Sequence, residues 1–303
     1  MEKRTKAYLQ IHTAVLLYGM TGILGDLITI PKPTLVWWRM LLTVLTFVFW
    51  PGVVRDALKM ERKALQRMVG IGVLVAIHWV TFFGAIALTN ASVTLAMLAS
   101  ATFFTALFEP MLTGRKFKGY EMLLGLAIVP GVALVVGSTE FEITGIVMAL
   151  FSAAVAAIFS ILNKGLVGKH NPLTMTMVEL GAGFVFLSLL APFFYGFYPD
   201  QAFLPVEWDW LYIAILAFVC TSFAYVITLR ALQVLPTFSV NLTINLEPVY
   251  TMIIAYFLLN DAAELNLGFY IGAGVIIVSV FFHPLLVRMF EKGDGAGLPL
   301  RGK

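Results

Sequence analysis

Residues 241–261 read NLTINLEPVYTMIIAYFLLND, an apolar run long enough to cross a bilayer. Polar residues and a proline interrupt it: Asn241, Asn245, Glu247 and Pro248. A carboxylate inside a hydrophobic span is costly unless it faces a polar interior. Pro248 has no N–H to donate to the carbonyl of Ile244, which leaves that oxygen free at membrane depth. The stretch therefore predicts a broken membrane helix beside a cavity.

The composition of the 303-residue chain points to a membrane protein. Hydrophobic residues make up 60% and charged residues 12%, and the mean hydropathy is +0.92. Soluble domains have about 45–50% apolar and about 25% charged residues. The single cysteine, Cys220, excludes an intrachain disulfide framework and has no metal-ligand spacing with a histidine. We predict no metal and no cofactor, and we expect Cys220 to be a buried apolar residue.

Apolar runs of membrane-spanning length recur along the chain and predict about ten transmembrane helices. They cover residues 8–28, 33–50, 68–88, 91–113, 119–138, 143–163, 172–194, 208–232, 236–259 and 265–287. The charged segment 53–67 is typical of a short helix on the membrane surface. The predicted fold class is an all-α integral membrane protein.

Loop charges test the number of spans independently, because cytoplasmic loops collect lysine and arginine. With the N-terminus inside, the outer loops hold one base, Lys32, and their other charges are acidic, as at Asp26, Glu142 and Asp209. The inner segments hold Lys3, Arg4, Lys6, Arg55, Lys59, Arg62, Lys63, Arg67, Arg115, Lys116, Lys118, Lys164, Lys169, Arg230, Arg288, Lys292, Arg301 and Lys303. This alternation predicts a multi-pass protein of the cell membrane, inner or plasma, with both termini cytoplasmic.

The chain also repeats itself. Glu109-Pro110 and Glu247-Pro248 lie in corresponding long spans, and Pro33 and Pro172 open corresponding second spans. We place the repeats at residues 7–138 and 143–287, followed by a cytoplasmic tail at 288–303. Because each predicted repeat has an odd number of spans, the second enters the membrane in the opposite orientation. Inverted repeats place a substrate site near the membrane midplane.

Several of these features together resemble the EamA-like family of the drug/metabolite transporter (DMT) superfamily. They are Tyr18-Gly19 in the first span, Arg39 in the second, the proline of the ninth and a glycine-rich last span. The resemblance implies two five-helix repeats around a central cavity, which is lined by helices one to four and six to nine. One departure is that Thr102 stands in the fourth span where the ninth has Pro248.

Candidate site residues are the polar and aromatic side chains expected at the cavity. They are Tyr18, Trp38, Arg39, His78, Trp79, Thr102, Tyr225, Asn241, Asn245, Glu247 and Tyr250, with Pro110 and Pro248 as helix breaks that gate access. The threonines and asparagines have a second interpretation, in which they hydrogen-bond neighbouring helices. Arg39 either binds an anionic group or locks the second helix in place.

Three other polar residues have competing interpretations. His78 is either a proton acceptor or a hydrogen-bond partner of a neighbouring helix. Glu109 lies close in sequence to Arg115, which favours a structural ion pair. Glu179 lies near the repeat-related position of Arg39, but inversion places the two in opposite halves of the membrane. We therefore expect no direct pair between Arg39 and Glu179.

The predicted function is secondary transport, in the export direction, of small organic metabolites that are amino-acid-like or related, by alternating access. The sequence has no GxxxxGK[ST] loop for ATP, and protons are a candidate driving ion through Glu247, since burial disfavours a charged carboxylate. Alternatives are a facilitative pore, a non-transporting receptor or an intramembrane enzyme. Predicted partners are a small-molecule substrate and the lipid bilayer, with no nucleic acid. A homodimer through Gly268 and Gly272 and a monomer are both compatible with the sequence.

Overall fold

The structure is a computed structural model that describes residues 2–136, 142–197, 202–247 and 249–251, and six further positions, Ile254, Ile271, Gly274, Val275, Val278 and Phe282. Its helices are α1 (Glu2–Leu27), α2 (Lys32–Val48), α3 (Val53–Leu58), α4 (Arg62–Leu88), α5 (Ala91–Leu98), α6 (Ala101–Thr113), α7 (Gly119–Val136), α8 (Ile143–Lys164), α9 (Pro172–Phe197), α10 (Asp209–Ala217), α11 (Ala224–Val234) and α12 (Thr237–Ile244). A π-helical turn, Phe218–Phe223, joins α10 to α11. The predicted all-α class is confirmed.

Six helical segments in the described residues are long and apolar enough to cross a membrane. They are Glu2–Leu27, Arg62–Leu88, Val93–Thr113, Ile143–Lys164, Pro172–Phe193 and Asp209–Val234. The chain is therefore a multi-pass membrane protein. The predicted span at 33–50 appears as the shorter helix α2, and the described part of the predicted span at 119–138 is α7. The ten-helix count and the inverted orientation stay predictions, and the tail at 288–303 lies outside the described residues.

The charged segment 53–67 differs from its prediction as one surface helix. It divides into the six-residue helix α3 and the first turns of α4, which begins at Arg62. The division lies at Glu61, whose backbone is extended with φ −60° and ψ 136°. The chain therefore turns once at Glu61 and enters the third span directly, so only the part before it forms a separate short helix.

The regular α-helical hydrogen bonding of the fourth and ninth predicted spans is interrupted near their beginnings, where Ala99, Ser100 and Asn245 keep right-handed helical backbone angles. Helices α5 and α12 have 8 residues each, and each is followed by a two-residue turn, at Ala99–Ser100 and at Asn245–Leu246. Pro110 lies inside α6, which continues to Thr113, so the interruption is not at Pro110 as predicted. A proline has no N–H to bind the carbonyl four residues back, so α6 continues past Pro110 with one backbone hydrogen bond fewer. Pro248 lies outside the described residues.

Small residues bring α4, α8 and α9 into close contact. A Cβ atom on Gly72 of α4 would lie 2.0 Å from the backbone oxygen of Glu179 on α9. On α8, Ala149, Ala153 and Ala157 are at most 1% exposed, as expected for a helix-packing surface of small residues. Helix α1 packs on α11 and α12, and α2 packs on α9. The glycines proposed for a dimer contact, Gly268 and Gly272, lie outside the described residues.

Candidate functional site

A cavity of about 120 Å³ lies among the helices of both halves of the chain. Its lining residues are Tyr18, Thr21, Arg39, His78, Trp79, Phe82, Leu98, Ala101, Ala156, Phe159, Ser160, Tyr225, Thr228, Asn241, Ile244 and Glu247. Seven candidate site residues are among them: Tyr18, Arg39, His78, Trp79, Tyr225, Asn241 and Glu247. The structure brings these side chains together from α1, α2, α4, α11 and α12 and from the residue after the α12 turn. Their role in binding stays a prediction.

The cavity borders both helix interruptions. Leu98 and Ala101 flank the turn of the fourth span, and Ile244 and Glu247 flank the turn of the ninth. Asn90 starts the fourth span by accepting a hydrogen bond from the backbone N–H of Val93 at 2.8 Å, as an N-cap residue does. The ends of four helical pieces therefore meet the cavity wall.

Arg39 is held on one side by the π-helical turn. Its Nε donates to Thr221 Oγ1 at 2.5 Å, and its guanidinium carbon lies 4.1 Å from the centroid of the Trp79 ring. The side chain is 2% exposed, and no carboxylate lies within ion-pair distance in the ranges that the structure describes. Both interpretations of Arg39 thus have support: it fixes α2 against the turn and it contributes a positive charge to the cavity wall.

Glu247 contributes the opposite charge to the same cavity. It is 6% exposed and follows the Asn245–Leu246 turn directly. Arg39 and Glu247 line the same cavity, and no ion pair joins them in the described part of the chain. Tyr18 lies beside them, and its hydroxyl group hydrogen-bonds Thr228 Oγ1 at 2.8 Å. A cation, a carboxylate and phenol rings therefore share one largely buried space.

The asparagines and threonines of the interrupted spans bind to one another. Asn245 Nδ2 donates to Thr102 Oγ1 at 2.8 Å, and Asn241 Nδ2 donates to Thr105 Oγ1 at 2.6 Å. Ser160 Oγ donates to Asn241 Oδ1 at 3.0 Å, which extends the network to α8. The packing interpretation therefore describes Thr102 and Asn245, which do not line the cavity. Asn241 does both.

Two candidate residues lie elsewhere. The indole N–H of Trp38 donates to the Phe203 carbonyl at 2.9 Å, and its ring lies 5.0 Å from that of Trp210. Side chains of consecutive helix residues point about 100° apart, so the Trp38 side chain points away from the helix face on which Arg39 lines the cavity. Tyr250 contacts His12, with 3.0 Å between its hydroxyl group and His12 Nδ1. Trp38 and Tyr250 are not among the residues that line the described cavity, and their role at a substrate site stays a prediction.

The other polar residues follow one of the interpretations offered for them. His78 Nδ1 lies 2.8 Å from Ser152 Oγ, a contact between α4 and α8. Glu109 pairs with Arg115 at 2.9 Å. Glu179 contacts Tyr225 rather than Arg39, and Cys220 is free and fully buried.

Sequence reasoning missed several lining residues and the π-helical turn. The missed polar lining residues are Thr21, Ser160 and Thr228, and the missed rings are Phe82 and Phe159. The available signal for the turn was the Thr221-Ser222 pair inside an apolar span. Both hydroxyls donate to carbonyls five residues back, Thr221 to Leu216 and Ser222 to Ala217. Such π-helical turns occur frequently at functional sites.

A helical multi-pass fold with a buried cavity of this kind is compatible with a membrane transporter, and known proteins support that class. A Bacillus subtilis (strain 168) protein described as uncharacterized transporter YxxF is 21% identical over 265 residues, which cover 84% of this chain and 82% of its own. An uncharacterized transporter of Archaeoglobus fulgidus is 29% identical over 200 residues, or 64% of this chain and 65% of its own.

The model of the EamA-like transporter family matches residues 5–137 and 143–283. The chain belongs to the EamA-like transporter family, as its sequence features indicated. One solved crystal structure shares the fold, with a TM-score of 0.74 at 16% identity over 95% of this chain and 99% of that chain. These matches favour a transporter over the intramembrane enzyme considered above.

Proposed function

We propose that the chain is a secondary transporter that exports small amino-acid-like metabolites from the cytoplasm by alternating access. The observation that carries the proposal is the cavity in which Arg39 and Glu247 face a common space. Guanidinium groups bind carboxylates with paired hydrogen bonds, and Glu247 offers a counter-charge for an ammonium group. A zwitterion matches both, and the rings of Tyr18 and Trp79 contact its apolar part.

Alternating access is supported by the two interrupted spans. Each turn ends one helical piece and begins another at the wall of the cavity, so a small rotation of either piece widens or narrows that wall. Discontinuous helices beside a central site are characteristic of secondary transporters with internal repeats. We propose that the pieces at Leu98 and Ala101 serve one side of the membrane, and those at Ile244 and Glu247 the other.

Proton coupling is proposed at Glu247. The carboxyl group is nearly fully buried, and a buried charge without a close ion pair is costly. Protonation removes that cost when the cavity is empty, and a substrate ammonium group supplies a counter-charge when the cavity is filled. Exchange between a proton and the substrate would then couple export to the proton gradient across the cell membrane.

The test compares extracellular and intracellular metabolites in cells that produce the wild type, Glu247→Gln or Glu142→Gln at matched membrane levels. Glu142 is an exposed glutamate outside the cavity and serves as the control. We expect a compound that leaves cells with the wild type and Glu142→Gln but is retained with Glu247→Gln. The same profile for all three proteins would contradict the role of Glu247.

A carrier and a pore differ in counterflow. Vesicles loaded with the identified compound should accumulate its labelled form transiently if the protein carries one substrate at a time across the membrane. We expect saturable counterflow in vesicles with the wild type. Non-saturable equilibration without a transient would support the pore instead.

A further inference from the structure

A second buried carboxyl group lies next to the cavity without forming part of its wall. Glu179 on α9 is 0% exposed. Its Oε2 accepts hydrogen bonds from the Tyr225 hydroxyl group at 2.8 Å and from Asn163 Nδ2 at 3.3 Å. Asn163 Nδ2 also donates to the Tyr225 oxygen at 3.1 Å. The three side chains form a closed cluster from α8, α9 and α11, and both groups that donate to Glu179 are neutral.

Two acceptors of this cluster, Glu179 Oε1 and Asn163 Oδ1, are buried without a donor in the described part of the chain. A buried acceptor without a donor is costly, and a buried negative charge without a cation costs much more, so such groups become neutral instead. A proton on the carboxyl group removes the charge, which is the larger of these two costs. The neutral donors and the lack of a paired cation therefore favour the protonated carboxyl group.

No lysine, arginine or histidine lies within ion-pair distance of Glu179 in the described ranges. Helices α2, α3, α4 and α11 pack against α9. Arg39 of α2 binds Thr221 and His78 of α4 binds Ser152, while the exposed Arg55 and Asp56 of α3 lie 4.0 Å from each other.

Gly72 of α4 packs closely against the Glu179 backbone and brings no charge. Tyr225 of α11 is the titratable group that interacts with the Glu179 carboxyl group.

Tyr225 connects this cluster to the cavity, because its side chain lines the cavity and its hydroxyl group binds Glu179. We infer that Glu179 is a second proton-binding site, which is coupled to the cavity through the hydroxyl group of Tyr225. A substrate that accepts the hydrogen bond of Tyr225 takes a donor away from Glu179, so substrate and proton binding influence each other reciprocally. This last link rests on the proposed transport function, whereas the proton site itself does not.

The experiment detects the proton without a substrate. Infrared spectra of the purified protein in lipid nanodiscs, recorded from acid to alkaline pH, show the C=O stretch of protonated carboxyl groups. We expect one such band to be absent in Glu179→Gln and present in Glu142→Gln and Glu247→Gln. In Tyr225→Phe the same band should remain and move to higher frequency, since its hydrogen-bond donor is lost.

Two results would overturn the proposal. A spectrum of Glu179→Gln with every wild-type carboxyl band would show that Glu179 carries no proton. Loss of the band on replacing potassium by sodium at constant pH would assign the site to a metal cation. If Glu179→Gln does not fold, Tyr225→Phe is the deciding variant. A carboxyl band at unchanged frequency in Tyr225→Phe would show that the proton is not on the carboxyl group that binds Tyr225. This experiment does not measure transport, so it tests the proton site even if the proposed export function is wrong.

Discussion

Arg39 illustrates how one residue combines a structural and a binding role. Its Nε atom is held by Thr221, and the Trp79 ring covers one face of the guanidinium group. Thr221 is held in turn, since its own hydroxyl hydrogen goes to the Leu216 carbonyl. The π-helical turn therefore fixes the orientation of the positive charge in the cavity wall.

Thr221→Val tests this arrangement, because valine keeps the shape and removes the acceptor. The buried Arg39 Nε then lacks its partner, and we expect a loss of about 1.5–3 kcal/mol, as for hydrogen bonds to charged groups. The measurement is unfolding of the purified protein in detergent. Thr46→Val is the matched control, since the Thr46 hydroxyl group donates within its own helix to Leu42. Equal losses in both variants would contradict the role of Thr221.

At the scale of helices, the sequence predicted breaks at Pro110 and Pro248, whereas the described turns lie at Ala99–Ser100 and Asn245–Leu246. The Ala99–Ser100 turn contains no proline, yet it occupies the position in the fourth span that Asn245–Leu246 occupies in the ninth. Tertiary contacts, which have no local sequence signal, join the two regions: Asn245 of the second turn binds Thr102, two residues beyond the first. In the sequence, the threonines and asparagines of these two spans are equally compatible with a cavity face and with this packing.

A double-mutant cycle of Asn245→Leu and Thr102→Val measures this link. Each single change leaves one buried partner unsatisfied, and the double change removes both, so we expect a coupling free energy of about 0.5–3 kcal/mol. Thermal or denaturant unfolding provides the values. Pairing Asn245→Leu with Thr13→Val is the control, because Thr13 donates to Leu9 within α1. An additive result for Asn245 and Thr102 would show that the contact contributes nothing to stability.

The contact of α4 with α9 gives a second prediction at this scale. In Gly72→Ala the new Cβ would lie 2.0 Å from the Glu179 oxygen, so the helices must separate and the protein loses stability. Gly70→Ala on the same helix meets no atom within 4 Å and should be neutral or stabilising by up to about 1 kcal/mol, since alanine favours helix. Melting temperatures of both variants check this. Equal behaviour would argue against the close contact.

For the whole molecule, composition and hydropathy were sufficient to predict a helical membrane protein, because a bilayer allows few other solutions for such apolar runs. Most of the charged and aromatic cavity residues were also found, since a buried charge inside a span needs a polar space. The sequence did not exclude Trp38 and Tyr250 from the cavity lining, because composition does not reveal which face of a helix meets the cavity. The Glu179 cluster was not predicted, because its three residues lie on three separate helices.

Orientation in the membrane remains a prediction at this scale, and the single cysteine makes it testable. Cys220 is fully buried, so introduced cysteines at exposed positions can be labelled with a membrane-impermeant maleimide. We expect Leu204→Cys (62% exposed) to react in intact cells, and Leu58→Cys (82% exposed) to react only after permeabilisation. Lys169→Cys, in the first loop of the second repeat, should behave like Leu58→Cys, because inversion places that loop inside. Labelling of Lys169→Cys from outside would contradict the inverted repeat, and unmodified wild type is the control for background reaction.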